Sequence, residues 1–255
     1  MEILITNDDG IYAPGIRALV DAARPLGTVT VIAPDRNWSA CGHQKSLGRP
    51  LRADPVALFD GIEAYAIDGG PSDCTAMAGL GFLKKKIDLV LSGINPSANV
   101  SRDTTYSGTV NAALEATIWD MKGIAFSIDA GSVKPDAVDF SAAQQVVRHT
   151  VETFLSNELP PFTVLNVNIP YFPGEAIKGY KVTRSGMRVY RNELDIRIDP
   201  FGRPYHWFGG LPPTGDTESG TDCGEIFRGY VSITPVHLDL TAYETMAALE
   251  KWNWD

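Results

Sequence analysis

The sequence predicts an α/β fold built on a mostly parallel, doubly wound sheet. Two observations carry this: short runs of apolar, often β-branched residues, and segments of helical period that alternate with them over about the first 150 positions. A third predicts a β-rich C-terminal extension: beyond Pro160 the texture changes to longer strand-like runs separated by turn residues.

Each element follows in order. Residues 3–6 (ILIT) read as a buried strand, and Ile16, Leu19, Val20 and Ala23 recur at helical spacing across 15–26. Residues 28–33 (TVTVIA) form a second strand, stopped by Pro34, and 64–67 a third. Ser72, just after Pro71, is placed to cap a helix reaching about Leu83. Residues 88–92 (DLVLS) are a strand ended by Gly93, and Ser107 opens the helix TVNAALEATIWDM, with Gly123 as its left-handed terminator. A strand at 124–128 and a helix at 140–156 complete a core whose crossovers should be right-handed. Then come strands at 164–169, 177–184, 188–198 and 231–236, a turn at 199–202, a loop at 209–224 around Pro212-Pro213, and a terminal helix near 241–251. The expected division is a core of 1–160 and a C-terminal part of 161–255 with an antiparallel arm, packed together as one domain.

Composition narrows the function. Of 255 residues, 44 % are apolar and 21 % charged, as in ordinary globular proteins. The formal net charge of −9 argues against binding a nucleic-acid duplex, which needs a broad Lys/Arg surface. A small phosphorylated ligand needs only local positive charge, which a metal can supply. Cys41, Cys74 and Cys223 have neither disulfide nor zinc spacing and suit a reducing compartment. The N-terminus lacks a basic region followed by an apolar run, and no stretch approaches the roughly 20 apolar residues that span a bilayer. A cytoplasmic protein without a membrane partner is expected.

Ligands of open α/β sheets sit beyond the carboxyl ends of the strands. After the first strand come Asn7, Asp8, Asp9 and Gly10; after the second, Asp35, Arg36, Asn37 and Ser39; after residues 88–92, Asn95, Ser97 and Asn99. This all-oxygen set suits a hard divalent cation such as Mg²⁺, Mn²⁺ or Ca²⁺. Asp-Asp-Gly alone is commonly a turn, but adjacent carboxylates after a buried strand repel unless something cationic neutralises them. Ser107, Gly108 and Thr109 start a helix, whose free N–H groups suit a phosphate as well as an ordinary serine cap. His43, in the loop beyond Ser39, is a candidate to orient ligand or water, or simply a surface histidine. Asp73 reads as a cap.

The motifs ILITNDDGIYAPGIRAL, VIAPDRNWSACGH, DLVLSGINPSAN and TYSGTVNAALE, followed by FGRPYHWFGG and GYVSITPVHLDLT, resemble the SurE family of stationary-phase survival proteins, which are nucleotidases. The resemblance runs through nearly the whole chain in order. It implies a Rossmann-like three-layer core and a C-terminal arm used in homodimers or homotetramers. It implies one divalent metal, Mg²⁺ or Mn²⁺ with Ca²⁺ possible in crystals, at Asp8, Asp9, Ser39 and Asn95. Phosphate contacts would come from Asn99, Ser107, Gly108 and Thr109. The activity implied is hydrolysis of nucleoside 5′-monophosphates, in some members also 3′-monophosphates and short polyphosphate. The mechanism expected from these residues makes Asp8 and Asp9 catalytic, with either Asp9 or a metal hydroxide as the base. The rival readings are a nucleoside hydrolase, a phosphatase with an aspartyl nucleophile, and a nucleotide-binding regulator without turnover. Two positions depart from the family pattern: Ser97 replaces a usual glycine, and Gly70 a frequent threonine. A positive φ at residue 97 would strain the serine.

Overall fold

The computed structural model describes residues 1–254; of residues 191–193 and 210–213 it describes the backbone alone. The chain runs β1 (Glu2–Thr6), α1 (Pro14–Ala23), β2 (Thr28–Pro34), β3 (Ala53–Pro55), β4 (Glu63–Ile67), α2 (Pro71–Gly79), β5 (Leu89–Asn95), α3 (Gly108–Ile118), β6 (Lys122–Asp129) and α4 (Ser141–Leu155). It continues with β7 (Thr163–Pro170), β8 (Tyr180–Val182), β9 (Arg188–Ile198), β10 (Pro204–Gly215), α5 (Asp222–Phe227), β11 (Val231–His237) and α6 (Tyr243–Leu249).

Nine strands form one sheet in the order β3-β4-β2-β1-β5-β6-β7-β11-β8. The six central strands are mutually parallel. Antiparallel β3 closes one edge, and β11, antiparallel to β7, extends the other. Strands from beyond residue 160 therefore continue the core sheet, while β9 and β10 pair only with each other as a separate ribbon. From β1 the chain winds outward through β2 and β4, then returns to β5 on β1's other side. The switch of winding direction falls between β1 and β5, where the crossovers diverge and leave a crevice.

The apolar runs are apolar throughout because both faces of the sheet are covered. Ile3 and Ile5 of β1 and Leu89 and Leu91 of β5 face a cluster with Ile16, Leu19 and Val20 of α1 and Val146, Val147 and Val151 of α4. Leu4 and Val90, between them in sequence, face the other layer with Cys74 and Ala78 of α2 and Ala116 of α3. Each fully buried Ile or Leu contributes roughly 1.5–3 kcal/mol relative to exposure. That two-sided burial fixes the strand register.

Several local expectations are corrected. Ser72 does not cap α2: Gly70 is the N-cap, and Asp73 reaches back to accept the Gly70 N–H at 3.0 Å. Pro71 at the first helical position starts the helix two residues earlier than a serine cap would. Gly123 does not terminate α3 but lies inside β6, and the left-handed residue is Asp120, φ 55°. Gly123 is needed for packing instead, since a Cβ there would sit 2.3 Å from the Ala113 carbonyl oxygen. The stretch expected as a loop at 209–224 holds the end of β10 and the start of α5.

Candidate metal and phosphate site

The site begins at the end of β1. Asn7 closes a tight turn, its side-chain NH₂ donating to the Gly10 carbonyl at 3.0 Å and its Oδ1 accepting the Gly10 N–H at 3.2 Å. Gly10 takes φ +103°, a region that L side chains rarely enter. This turn carries Asp8 and Asp9 out of the sheet beside β5, with Thr6 opposite Ser92 in the ladder. Asn95 lies three residues beyond Ser92, as Asp9 lies three beyond Thr6. The switch point thus sets the two segments side by side. At α1 the approach is close: a Cβ on Gly15 would fall 2.0 Å from the Ile94 carbonyl oxygen.

The loop after β2 is fastened to the same place. Trp38 donates its N–H to the Asp8 carbonyl at 2.7 Å, and Asn37 Nδ2 reaches Asp9 Oδ1 at 3.4 Å. Asn37 Oδ1 accepts the Ser39 N–H at 2.8 Å, so Asn37 links the serine to the second aspartate. Asn95 commits its NH₂ to the Ser97 carbonyl at 2.6 Å, which leaves the amide oxygen as its donor atom for a cation. Ser97 is not among the residues of positive φ, so the serine in place of a glycine is unstrained. A side chain at Gly70 would meet the Trp38 ring at 3.6 Å, an ordinary contact.

α3 points its first turn at Asp8. Thr109 donates its hydroxyl to Asp8 Oδ1 at 2.6 Å, across 101 residues of sequence, and Ser107 caps the helix by accepting the Val110 N–H at 3.0 Å. A Cβ on Gly108 would lie 2.7 Å from Asp8 Cβ, so only glycine lets the helix end come this near. Burial drives the Asp8 carboxyl above its ordinary range, against the Thr109 hydroxyl and the backbone of Thr109 and Gly108, which pull it down. Asp9 is pushed up to about 7, by burial first and then by the charge of Asp8. Arg36, in the loop after β2, pairs instead with Asp35 at 3.2 Å. Two adjacent, poorly solvated carboxylates are the environment a divalent cation relieves. Among the described residues no three His, Cys, Asp or Glu side chains cluster as ligands, so a hard ion on carboxylate, amide and hydroxyl oxygens is the fit.

Asn99 is placed differently from the others. Its N–H donates to Asn168 Oδ1 at 2.8 Å, while its carbonyl accepts from Asn166 at 2.7 Å and Asn168 at 3.0 Å. Its side chain donates to Ser127 Oγ at 2.8 Å. Sequence reasoning missed Asn166 and Asn168, although two amides on one face of the apolar strand TVLNVNIP signal a buried polar task. His43 turns to α3, its Nε2 lying 2.7 Å from Glu115 Oε2, and Lys45 and Trp119 reach Oε1 of the same buried carboxylate at 2.7 Å each.

A family model described as Survival protein SurE matches residues 3–192. The chain belongs to the SurE family. Within it, the 5′-nucleotidase SurE of Chloroflexus aggregans is 48 % identical over 257 residues, covering 100 % of both chains. That of Herpetosiphon aurantiacus is 46 % identical, covering 100 % of this chain and 99 % of the relative. The SurE protein of Aquifex aeolicus, known from its crystal structure, superposes with a TM-score of 0.82 at 40 % identity over 98 % of each chain. The SurE fold, a mostly parallel α/β sheet with additional C-terminal strands, is the one the sequence predicted.

Proposed function

We propose that this chain is a metal-dependent 5′-nucleotidase that hydrolyses nucleoside monophosphates to nucleoside and phosphate, with 3′-monophosphates and short polyphosphate as further substrates. The observation that carries the reading is the 2.6 Å contact between Thr109 and Asp8. It joins the oxygen-rich strand ends to a helix N-terminus, and a cation site beside an anion site is what phosphoryl transfer to water requires. The full-length relatives from Chloroflexus aggregans and Herpetosiphon aurantiacus, both named as 5′-nucleotidases, agree with it.

Asp8, Asp9, Ser39 and Asn95 would hold one divalent cation, Mg²⁺ or Mn²⁺, which when bound supplies charge neutralisation and a more acidic water. The Ser107 hydroxyl and the first turn of α3 at Gly108 and Thr109, with Asn99, receive the phosphate oxygens and stabilise charge as the bond to the leaving oxygen breaks. Asp9, the less buried of the two carboxylates and ionised when the cation is bound, takes the proton of the attacking water. His43 orients the loop that carries Ser39 through its contact with Glu115. Assembly as a homodimer or homotetramer through the β9–β10 arm belongs to the same proposal, as does work in the reducing cytosol, which suits three free cysteines.

The test is a panel of nucleoside 5′- and 3′-monophosphates, each with Mg²⁺, Mn²⁺, Ca²⁺ or chelator, read by phosphate release and by chromatography of the product. Phosphate and intact nucleoside, abolished by chelator and restored by one ion, are expected. Free base without phosphate would mark a nucleoside hydrolase. A trapped phosphoaspartate at Asp8 would mark the aspartyl route. Metal-dependent binding without any product would mark a regulator.

A further inference from the structure

Strand β7 carries two asparagines among apolar neighbours. Asn166 and Asn168 are fully buried and lie on one face of the strand, opposite the apolar Val167 and Ile169. A buried amide costs stability unless its hydrogen bonds are made, and aliphatic residues of like size would fill the same space without that demand. What the two amides bond to therefore tells what they are for. Both reach a single residue, Asn99, which lies 67 and 69 positions earlier in the chain.

Asn168 takes the Asn99 peptide as an adjacent strand would. Its Oδ1 accepts the Asn99 N–H at 2.8 Å and its Nδ2 donates to the Asn99 carbonyl at 3.0 Å. Asn166 Nδ2 donates to the same carbonyl at 2.7 Å, while its own Oδ1 is buried without a hydrogen-bond partner. Ser127, opposite Asn168 in the β6–β7 ladder, accepts from the Asn99 side-chain NH₂ at 2.8 Å. Asn95 stands opposite Ser127 in the β5–β6 ladder. One row across three strands, Asn95, Ser127 and Asn168, thus joins a candidate cation ligand to the residue that fixes Asn99. On either side of Asn99, Ala98 and Val100 are buried in a cluster with Cys223 and Ile226 of α5. The main chain is held from both directions, and the second hydrogen of the Asn99 amide is left to donate elsewhere.

We propose that Asn168, assisted by Asn166, is a positioning residue for phosphate binding: it fixes the Asn99 peptide so that the remaining hydrogen of the Asn99 amide faces the phosphate beside the start of α3. The proposal rests on the nucleotidase reading, in which Asn99 receives a phosphate oxygen, and adds to it the two residues that set the direction of that contact. Neither asparagine touches the substrate, and each acts through Asn99. A donor whose backbone N–H and carbonyl are both held needs no reordering when the ligand arrives. Removing the hold therefore weakens the anion and leaves the cation alone.

Calorimetry measures the binding of Mg²⁺ alone, and then of inorganic phosphate to the Mg²⁺-loaded protein, for wild type, Asn99→Ala, Asn168→Leu and the double variant. KM and kcat are measured beside them on AMP and p-nitrophenyl phosphate. Asn168→Leu removes both of its bonds to the Asn99 peptide, so phosphate binding should weaken, and KM for both esters rise, about tenfold. Its Mg²⁺ constant should stay within about twofold of wild type. On the Asn99→Ala background the same substitution should change phosphate binding by less than about twofold, because the residue it acts through is gone. Asn166→Val deletes one donor together with the unpartnered oxygen, so it should melt no lower than wild type and weaken phosphate about threefold. It carries the same cycle if Asn168→Leu does not fold. The proposal is overturned if the two losses add across the cycle, if Mg²⁺ binding falls in step with phosphate binding, or if phosphate binding is unchanged. None of these results touches the nucleotidase reading, which fails separately if wild type releases no phosphate from any monophosphate; the phosphate titration is readable with or without turnover.

Discussion

The carboxyl edge around Asp8 and the β9–β10 ribbon are built on opposite terms. At the edge, every segment is held by several others: Asp8 by Trp38 and Thr109, Asp9 by Asn37, and Asn99 by Asn166 and Asn168. Gly15 and Gly108 stand where a single methyl group would collide. The ribbon pairs only with itself and leaves Leu194, Ile196, Trp207 and Phe208 at 56 %, 59 %, 60 % and 97 % exposure. A two-stranded ribbon is marginal alone in water, so this one takes its order from its anchored base and from whatever covers it. At that base Asp222 accepts the Ser101 and Gly186 N–H groups at 2.7 and 2.8 Å. The contrast teaches that the carboxyl edge is specified from within the chain, whereas the apolar side chains exposed on both faces of the arm point to a surface outside it.

The strongest way to break this comparison is at the edge. Asp9→Asn should lower kcat on AMP roughly a thousandfold while circular dichroism stays native, since it removes one ionisable oxygen without changing shape. Turnover near wild type, with metal present, would falsify the assignment of Asp9. Gly108→Ala comes next: its Cβ would press on Asp8, so activity should fall about a hundredfold and stability by about 1–3 kcal/mol. Should Gly108→Ala be fully active, the helix end does not need its closeness to Asp8.

A smaller effect is expected from pH. Asp9 has its carboxyl raised to about 7 in the folded chain, so the metal-free fold holds this proton more tightly than the unfolded chain does. Its contribution favours the fold at low pH and is lost as pH rises from about 4 through 7. Cation binding needs the ionised carboxylate and reverses that loss. The rise in melting temperature caused by Mn²⁺ should therefore grow between pH 5 and 8, and a shift that is flat across this range would count against a metal on Asp9.

The smallest effect on the single chain should come from the arm. Trp207→Ser with Phe208→Ser should change the stability of the isolated chain by no more than about 0.5 kcal/mol per site. The same pair should lower the mass seen by light scattering. An unchanged mass would mean that the arm's exposed apolar side chains are covered by something other than a second copy.

Much of this was legible in the residues themselves. The uninterrupted apolar runs ILIT, TVTVIA and DLVLS require burial on both faces, and a sheet buried on both faces by intervening helices is parallel and doubly wound. Because such sheets bind at their carboxyl edges, the residues after each strand offered a set of candidate oxygens that includes Asp8, Asp9, Ser39 and Asn95, and the family resemblance singled out these four. Local chemistry misled where two residues competed for one task. Ser72 is the better capping residue by type, yet Pro71 and Asp73 take the helix start, leaving Ser72 Oγ buried without a hydrogen-bond partner.

Only the tertiary structure decided which distant residues meet. Thr109 on Asp8, Asn166 and Asn168 on Asn99, and a cavity between β6 and α5 each join segments tens of residues apart. Periodicity reports which face of an element is buried, because that depends on near neighbours alone. It carries nothing about the rotation and offset at which one element approaches another, which are set by side-chain volumes summed over the whole core.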